Sequence, residues 1–227
     1  MGERIDAIMK NIEFPNEKLF EELVEQFDNE QLYKEAVVRN VFNTFDNSSI
    51  ENVLTKIIIL NNIYSAGLTT NMLGKEKSEM YNAKGKALPV DVTTMAKHIY
   101  NTFKGITGIN DDSNVIALVD KIRNVGDNYQ DAYSFATKYC SWTFGEIINV
   151  PIVDSYVKGL LYRLNKKNPF TDSFTQNDLN FYHEYCRIYK AFVEKAGLSN
   201  ESYKNIDKYL WQYAKNLLVN NNIDIRI

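Results

Sequence analysis

The chain has 227 residues, 29 acidic against 26 basic side chains, and a formal charge of −3, which leaves room for one large domain or two small lobes. Two cysteines, Cys140 and Cys186, suit neither a disulfide framework nor a metal site, and a four-cysteine iron–sulfur cluster is excluded by count. No apolar run reaches membrane-spanning length and the N-terminus lacks the basic-then-apolar order of a secretion signal, so the expectation is a monomeric cytoplasmic protein with no membrane partner.

In chain order, Pro15 and Asn16 precede EKLFEELVEQF, where Leu19, Phe20, Leu23, Val24 and Phe27 recur at helical spacing. A second helix is expected from Gln31 to Phe45, with Leu32, Ala36, Val37 and Phe42 inward. The polar break Asp46-Asn47-Ser48-Ser49 supplies a cap for Ile50 to Ala66, which reads as the most buried helix and ends at Gly67. Thr70 to Pro89, with Gly74, Gly85 and the lysines Lys75, Lys77, Lys84 and Lys86, reads as a long loop. Asp91 or Thr93 caps MAKHIYNTF, and Asp112 or Ser113 caps NVIALVDKIRNV, which ends at Gly126. A helix from Asn128 to Trp142 follows, then Ser155 to Lys167, Asn177 to Ala196, and Glu201 to Val219. The scarcity of Gly and Pro and the absence of paired strand signals give an all-α fold class.

Charge is unevenly placed. Residues 1–50 hold eleven acids and five bases, or −6, and the remainder holds eighteen acids and twenty-one bases, or +3. The acidic end can face away from an anionic partner while the rest offers a modest basic face.

The stretch from Asp131 to Arg163 carries the chemistry. Lys138 sits in the aromatic run Phe135-Ala136-Thr137-Lys138-Tyr139-Cys140-Ser141-Trp142, and Val150-Pro151-Ile152-Val153 leads to Asp154, placed to cap the next helix. The pairing of Phe135-Ala136-Thr137-Lys138 with Pro151-Ile152-Val153-Asp154 resembles the helix-hairpin-helix DNA glycosylases, closest to the archaeal 8-oxoguanine glycosylase branch. The match covers about thirty positions. The usual glycine-rich hairpin is replaced by Val125-Gly126-Asp127-Asn128-Tyr129-Gln130.

The resemblance implies a two-lobed helical fold with a degenerate helix-hairpin-helix and a central cleft. Lobe A would be residues 50–153, and lobe B residues 1–49 with 154–227. It implies a DNA glycosylase with AP lyase activity acting on double-stranded DNA that contains a damaged or modified base. Lys138 is the expected nucleophile at C1′ and Asp154 the carboxylate that stabilises the oxocarbenium-like transition state, with no metal or cofactor. The target nucleotide must leave the duplex, so a base pocket is needed. Asn61, Asn62 and Tyr64 would border it, with Gly67-Leu68-Thr69 on the minor-groove side, and Phe135, Trp142 and Phe144 would supply flat walls. Backbone N–H groups around Gly126, Asn128 and Gln130 would anchor phosphate, helped by Lys158 and Arg163.

Bland readings stand beside these. Asn61 and Asn62 can bond to neighbouring helix ends, each aromatic can be ordinary core, and Lys138 and Asp154 taken singly can be a surface lysine and a cap. At the level of function the alternatives are a helical nucleic-acid- or partner-binding protein without activity, and a glycosylase directed at modified phage DNA.

Overall fold

The computed structural model describes residues 12–69, 85–104, 106, 109, 111–145, 147–221 and 226–227, with the backbone alone for 218–221. Among them the regular structure is helical: α1 (Glu17–Thr44), α2 (Ile50–Tyr64), α3 (Val92–Lys104), α4 (Asp112–Arg123), α5 (Tyr133–Phe144), α6 (Ser155–Lys167), α7 (Tyr182–Lys195) and α8 (Tyr203–Asn221). One 3-10 turn, Asp178–Asn180, precedes α7. The described residues hold no strand, only two isolated bridges, Thr69 with Asp91 and Leu88 with Tyr129. No described helix is long and apolar enough to cross a membrane. The lysines Lys75, Lys77 and Lys84 of the expected loop lie outside the described residues.

The chain forms two compact units, residues 33–150 and residues 1–32 with 151–227. Residues 33–49, expected with the termini, fall with 50–150.

The two helices expected before residue 45 are one. Asn16 caps α1 by accepting the Leu19 N–H at 2.9 Å, and 28 residues follow without interruption. The inward stripe Phe20, Leu23, Phe27 continues through Gln31 and Glu35 to Val38 and Phe42, always in steps of three or four. Asp28 and Glu30 reach Lys208 and Lys215 of α8, at 2.5 and 2.6 Å. This register turns Leu32, Ala36 and Val37 outward rather than inward.

In the 33–150 unit, α2 packs on α3 and α5, and α4 packs on α3 and α5. Val53, Ile57 and Leu60 of α2 meet a core built from Met95, Ala96 and Ile99, from Val115, Leu118, Val119 and Ile122, and from Phe135, Ala136 and Tyr139. Ser49 caps α2, as the polar break foretold, by accepting the Asn52 N–H. Ser65, at φ 47, rather than Gly67 takes the left-handed cap at its end. Asp91 caps α3 through the N–H groups of Thr93 and Thr94. Asp111, not Asp112 or Ser113, caps α4.

In the other unit, α6 packs on α8. Its core joins Val157, Leu160, Leu161 and Leu164 to the tyrosine-rich inner faces of α7 and α8. The helix expected from Asn177 starts only at Tyr182. Thr175 and Asp178 bond to each other's backbone and side chain and close a separate turn first.

Candidate functional site

Asp154 is the N-cap of α6. One carboxylate oxygen accepts the Tyr156 N–H at 2.8 Å, and its carbonyl accepts the Lys158 N–H at 2.8 Å. The lead-in is buried extended chain, which has no ladder to satisfy its carbonyls. Two tyrosines of α7 do so: Tyr182 donates its hydroxyl to the Pro151 carbonyl at 3.1 Å, and Tyr185 to that of Ile152 at 2.8 Å. Both rings are almost wholly buried. The approach to Asp154 is therefore a propped segment rather than a loose loop. On the same helix, Lys158 donates to Asn180 at 3.0 Å and Arg163 to the Gly159 carbonyl at 2.9 Å. Both cations expected to help with phosphate are engaged with protein oxygens.

Lys138 lies in the middle of α5, in the other unit, and is 7 % exposed. Every residue from Phe135 to Cys140 is buried, so α5 is a core helix rather than an amphipathic one. Thr137 folds its hydroxyl back to the carbonyls of Tyr133 and Ser134. Burial pushes the Cys140 thiol far up, which leaves it unreactive.

The six expected pocket residues all belong to this unit and serve different ends. Asn61 is buried and clasps Leu68: its amide donates to the Leu68 carbonyl at 3.0 Å and its oxygen accepts the Leu68 N–H at 3.1 Å. That closes the turn after α2 and uses both ends of the side chain. Asn62 is exposed. Tyr64 and Trp142 do come together, with ring centroids 6.3 Å apart, and Phe42 joins Trp142 at 6.2 Å. Phe144 stacks on Phe103 at 6.1 Å, and Phe135 is fully buried against Tyr139.

The connection into α5 differs from the expectation. The helix begins at Tyr133, not Asn128. Residues 128–130 pair with Leu88: the Leu88 N–H reaches the Asn128 carbonyl and the Gln130 N–H reaches the Leu88 carbonyl, both at 2.7 Å. The Tyr129 N–H is taken by Gly126, at 2.9 Å. The glycine keeps a role in the turn, since its φ of 147 is open to few other residues. An open hollow of about 400 Å³ here is lined by Asp120, Arg123, Gly126, Asp127, Tyr129 and Asp131. Its one guanidinium bonds to Asp131 at 2.9 Å and lies 3.8 Å from the Tyr133 ring centre. Three carboxylates and one committed cation, with the Tyr129 and Gln130 N–H groups already bonded, make a poor phosphate cradle.

Lys56 of α2 escaped the sequence reading. It is 2 % exposed, donates to the Asn47 side-chain oxygen at 2.8 Å, and faces the rings of Phe42 and Tyr139 at 5.1 and 5.6 Å. The Tyr139 hydroxyl reaches the same Asn47 oxygen at 2.6 Å. The signal was present: Val53, Lys56, Ile57 and Leu60 form one helical stripe, so the lysine had to point inward.

The family model HI_0787_N, described as an N-terminal domain, matches residues 19–146. The chain belongs to that family. An uncharacterized protein of Haemophilus influenzae is 32 % identical over 176 residues, covering 76 % of this chain and 71 % of that protein. No solved structure matches. The matched region holds Lys56 and Lys138, whereas Asp154 lies after its end.

Proposed function

We propose that this member of the HI_0787_N family is a lysine-type DNA glycosylase with AP lyase activity, working in base excision repair on DNA that carries a damaged or modified base. The observation that carries the reading is the construction of Asp154. Its carboxylate caps a helix at the end of a buried Pro-Ile-Val segment, and two α7 tyrosines prop the carbonyls behind it. That is the pattern the glycosylase resemblance implies. A preorganised carboxylate is the group an oxocarbenium-like transition state needs. Lys138, among buried aromatics on α5, supplies the amine. Its lone pair would attack C1′ as the base leaves, and the resulting Schiff base permits β-elimination and strand cleavage. The reading takes the fold as a two-lobed glycosylase-like scaffold whose hairpin has degenerated, and places the protein with DNA as a monomer.

Borohydride trapping on duplexes that each carry one lesion tests it. The wild-type chain should be covalently captured by at least one lesion, and Lys138→Gln by none. Capture that persists in Lys138→Gln would remove Lys138 from the role.

One observation favours a second reading, a helical partner-binding protein without glycosylase activity. The hollow at the connection into α5 is lined by Asp127 and Asp131, with Asp120 of α4, where a hairpin would meet phosphate. On that reading no lesion duplex is captured, and the protein does not retain DNA at physiological salt.

A further inference from the structure

We infer that the outer face of α1 joins this chain to a second copy of itself, as an antiparallel helix pair centred near residue 34. The face is apolar where a solvated helix surface is polar: Leu32 is 59 % exposed, Tyr33 85 % and Val37 46 %, with Ala36 exposed between them. All four lie on one uninterrupted helix, between residues 32 and 37. The other large apolar side chains at the described surface, Ile58, Ile147 and Phe181, stand singly on separate segments, as exposed apolar residues ordinarily do.

Heptad spacing continues the stripe in both directions. Glu25, Leu32 and Arg39 lie seven apart along one edge, Asn29, Ala36 and Asn43 along the next, and all six are exposed. An apolar centre with polar flanks is the layout of a short helix–helix seam. The inner face of α1 is spent on the chain's own core through Phe20, Leu23, Phe27, Val38 and Phe42. A helix that packs on the outer face therefore comes from another molecule.

Charge selects the occupant and its direction. Residues 17–30 of α1 hold six acids and one base, or −5, and residues 31–44 hold two bases and one acid, or +1. A parallel copy sets acid on acid, whereas an antiparallel copy sets each acidic half against the half with Lys34 and Arg39. With the two-fold axis beside residue 34, Leu32 of each copy meets Ala36 of the other, and Tyr33 and Val37 close over the pair. Ala36 is small enough to let the helix axes approach. Arg39 then reaches Asn29 of the other copy and, one turn further, Glu25. Arg39 and Glu25 make no ion pair among the described residues, so both are open to this contact. The two-fold makes every contact twice, as a self-complementary face requires. The seam covers on the order of 400 Å² per copy against ~800 Å² in a standard interface, so the pair is weak, with a Kd on the order of 100 µM. The glycosylase reading takes the protein on DNA as a monomer; this pair forms in the free chain and needs no DNA.

Sedimentation velocity of the full chain from about 5 to about 500 µM, at low salt and without DNA, tests it. The weight-average mass should climb from that of one chain toward that of two. Leu32→Asp should weaken association more than about tenfold, since it sets two carboxylates in the apolar centre of each pair. Its circular dichroism should stay that of the wild type, because Leu32 lies outside the core. Arg39→Glu should weaken association a few-fold, and Glu25→Arg likewise. The two exchanges together should restore it, which fixes the antiparallel direction. A chain that stays monomeric throughout overturns the inference and leaves the stripe to a partner of another sequence. Assembly that Leu32→Asp leaves intact, or that the double exchange fails to restore, overturns it as well.

Discussion

The connections into α5 and α6 are built in opposite ways. The lead-in to α6 is apolar, buried and propped by Tyr182 and Tyr185, and it ends on a carboxylate whose oxygen satisfies the first helical turn. The lead-in to α5 is polar and exposed, spends the Tyr129 and Gln130 N–H groups on Gly126 and Leu88, and ends on Ala132, which makes no side-chain cap bond. The first arrangement fixes one charge in one place. The second fixes the backbone and leaves three carboxylates around a hollow. The contrast teaches that a cap and its props are local to the chain, whereas an anion anchor needs both free N–H groups and a favourable field.

The sharpest way to break this comparison is at Asp154. On the proposed glycosylase reading, Asp154→Asn should slow base release about a hundredfold or more, since the developing positive charge loses its counter-charge. Thermal stability should change little, because asparagine caps as well as aspartate. Asp154→Ala should add a loss of about 1 kcal/mol, read by urea unfolding. Equal activity in Asn and wild type would reduce Asp154 to a cap.

Next in size is the buried amine beside α5. The unfolded chain holds the Lys56 proton up to about 10.4, while the folded chain releases it near 8. Between those values the unfolded state binds more protons, so stability rises with pH, by about 2 kcal/mol from pH 7 to 9.5. Lys56→Met should flatten that rise. A wild-type profile as flat as the variant's would show that Lys56 is not held away from water.

Tyr185→Phe sharpens the α6 side. It leaves the buried Ile152 carbonyl without its donor, at a cost of about 1–3 kcal/mol. If Asp154 depends on that prop, base release should fall further than binding does. A variant that loses stability but keeps full turnover would make the tyrosine purely structural.

The smallest effect is expected at the α5 side. Asp127→Lys removes one repulsive charge from the hollow and adds an attractive one, which should tighten DNA binding only a few-fold at low salt and less as salt rises. A gain of a hundredfold or more would mean that phosphate already meets this connection.

The helical class, a cap within Asp46–Ser49, Asp91 as one of two candidate caps, the cap at Asp154 and the span of α6 were legible in the chain because each depends on a handful of adjacent residues: an apolar spacing and one oxygen within reach of the next turn's N–H groups. The unbroken α1 was not legible. Asp28 and Glu30, between the two expected helices, are satisfied by Lys208 and Lys215, about 180 positions away. The start of α5 was hidden for the same reason, since its preceding residues pair with Leu88 across some forty positions that no local rule connects. The site divides likewise. Sequence by itself determined that Asp154 would cap a helix and that Lys138 would sit among aromatics. Tertiary structure alone decided that Tyr182 and Tyr185 would hold the chain behind Asp154, that Asn61 would spend both ends of its amide on Leu68, and that Lys56 would meet two rings and an amide oxygen instead of water. The physical reason is that capping is settled within one turn, while desolvation and hydrogen-bond satisfaction depend on which distant segments arrive to exclude water.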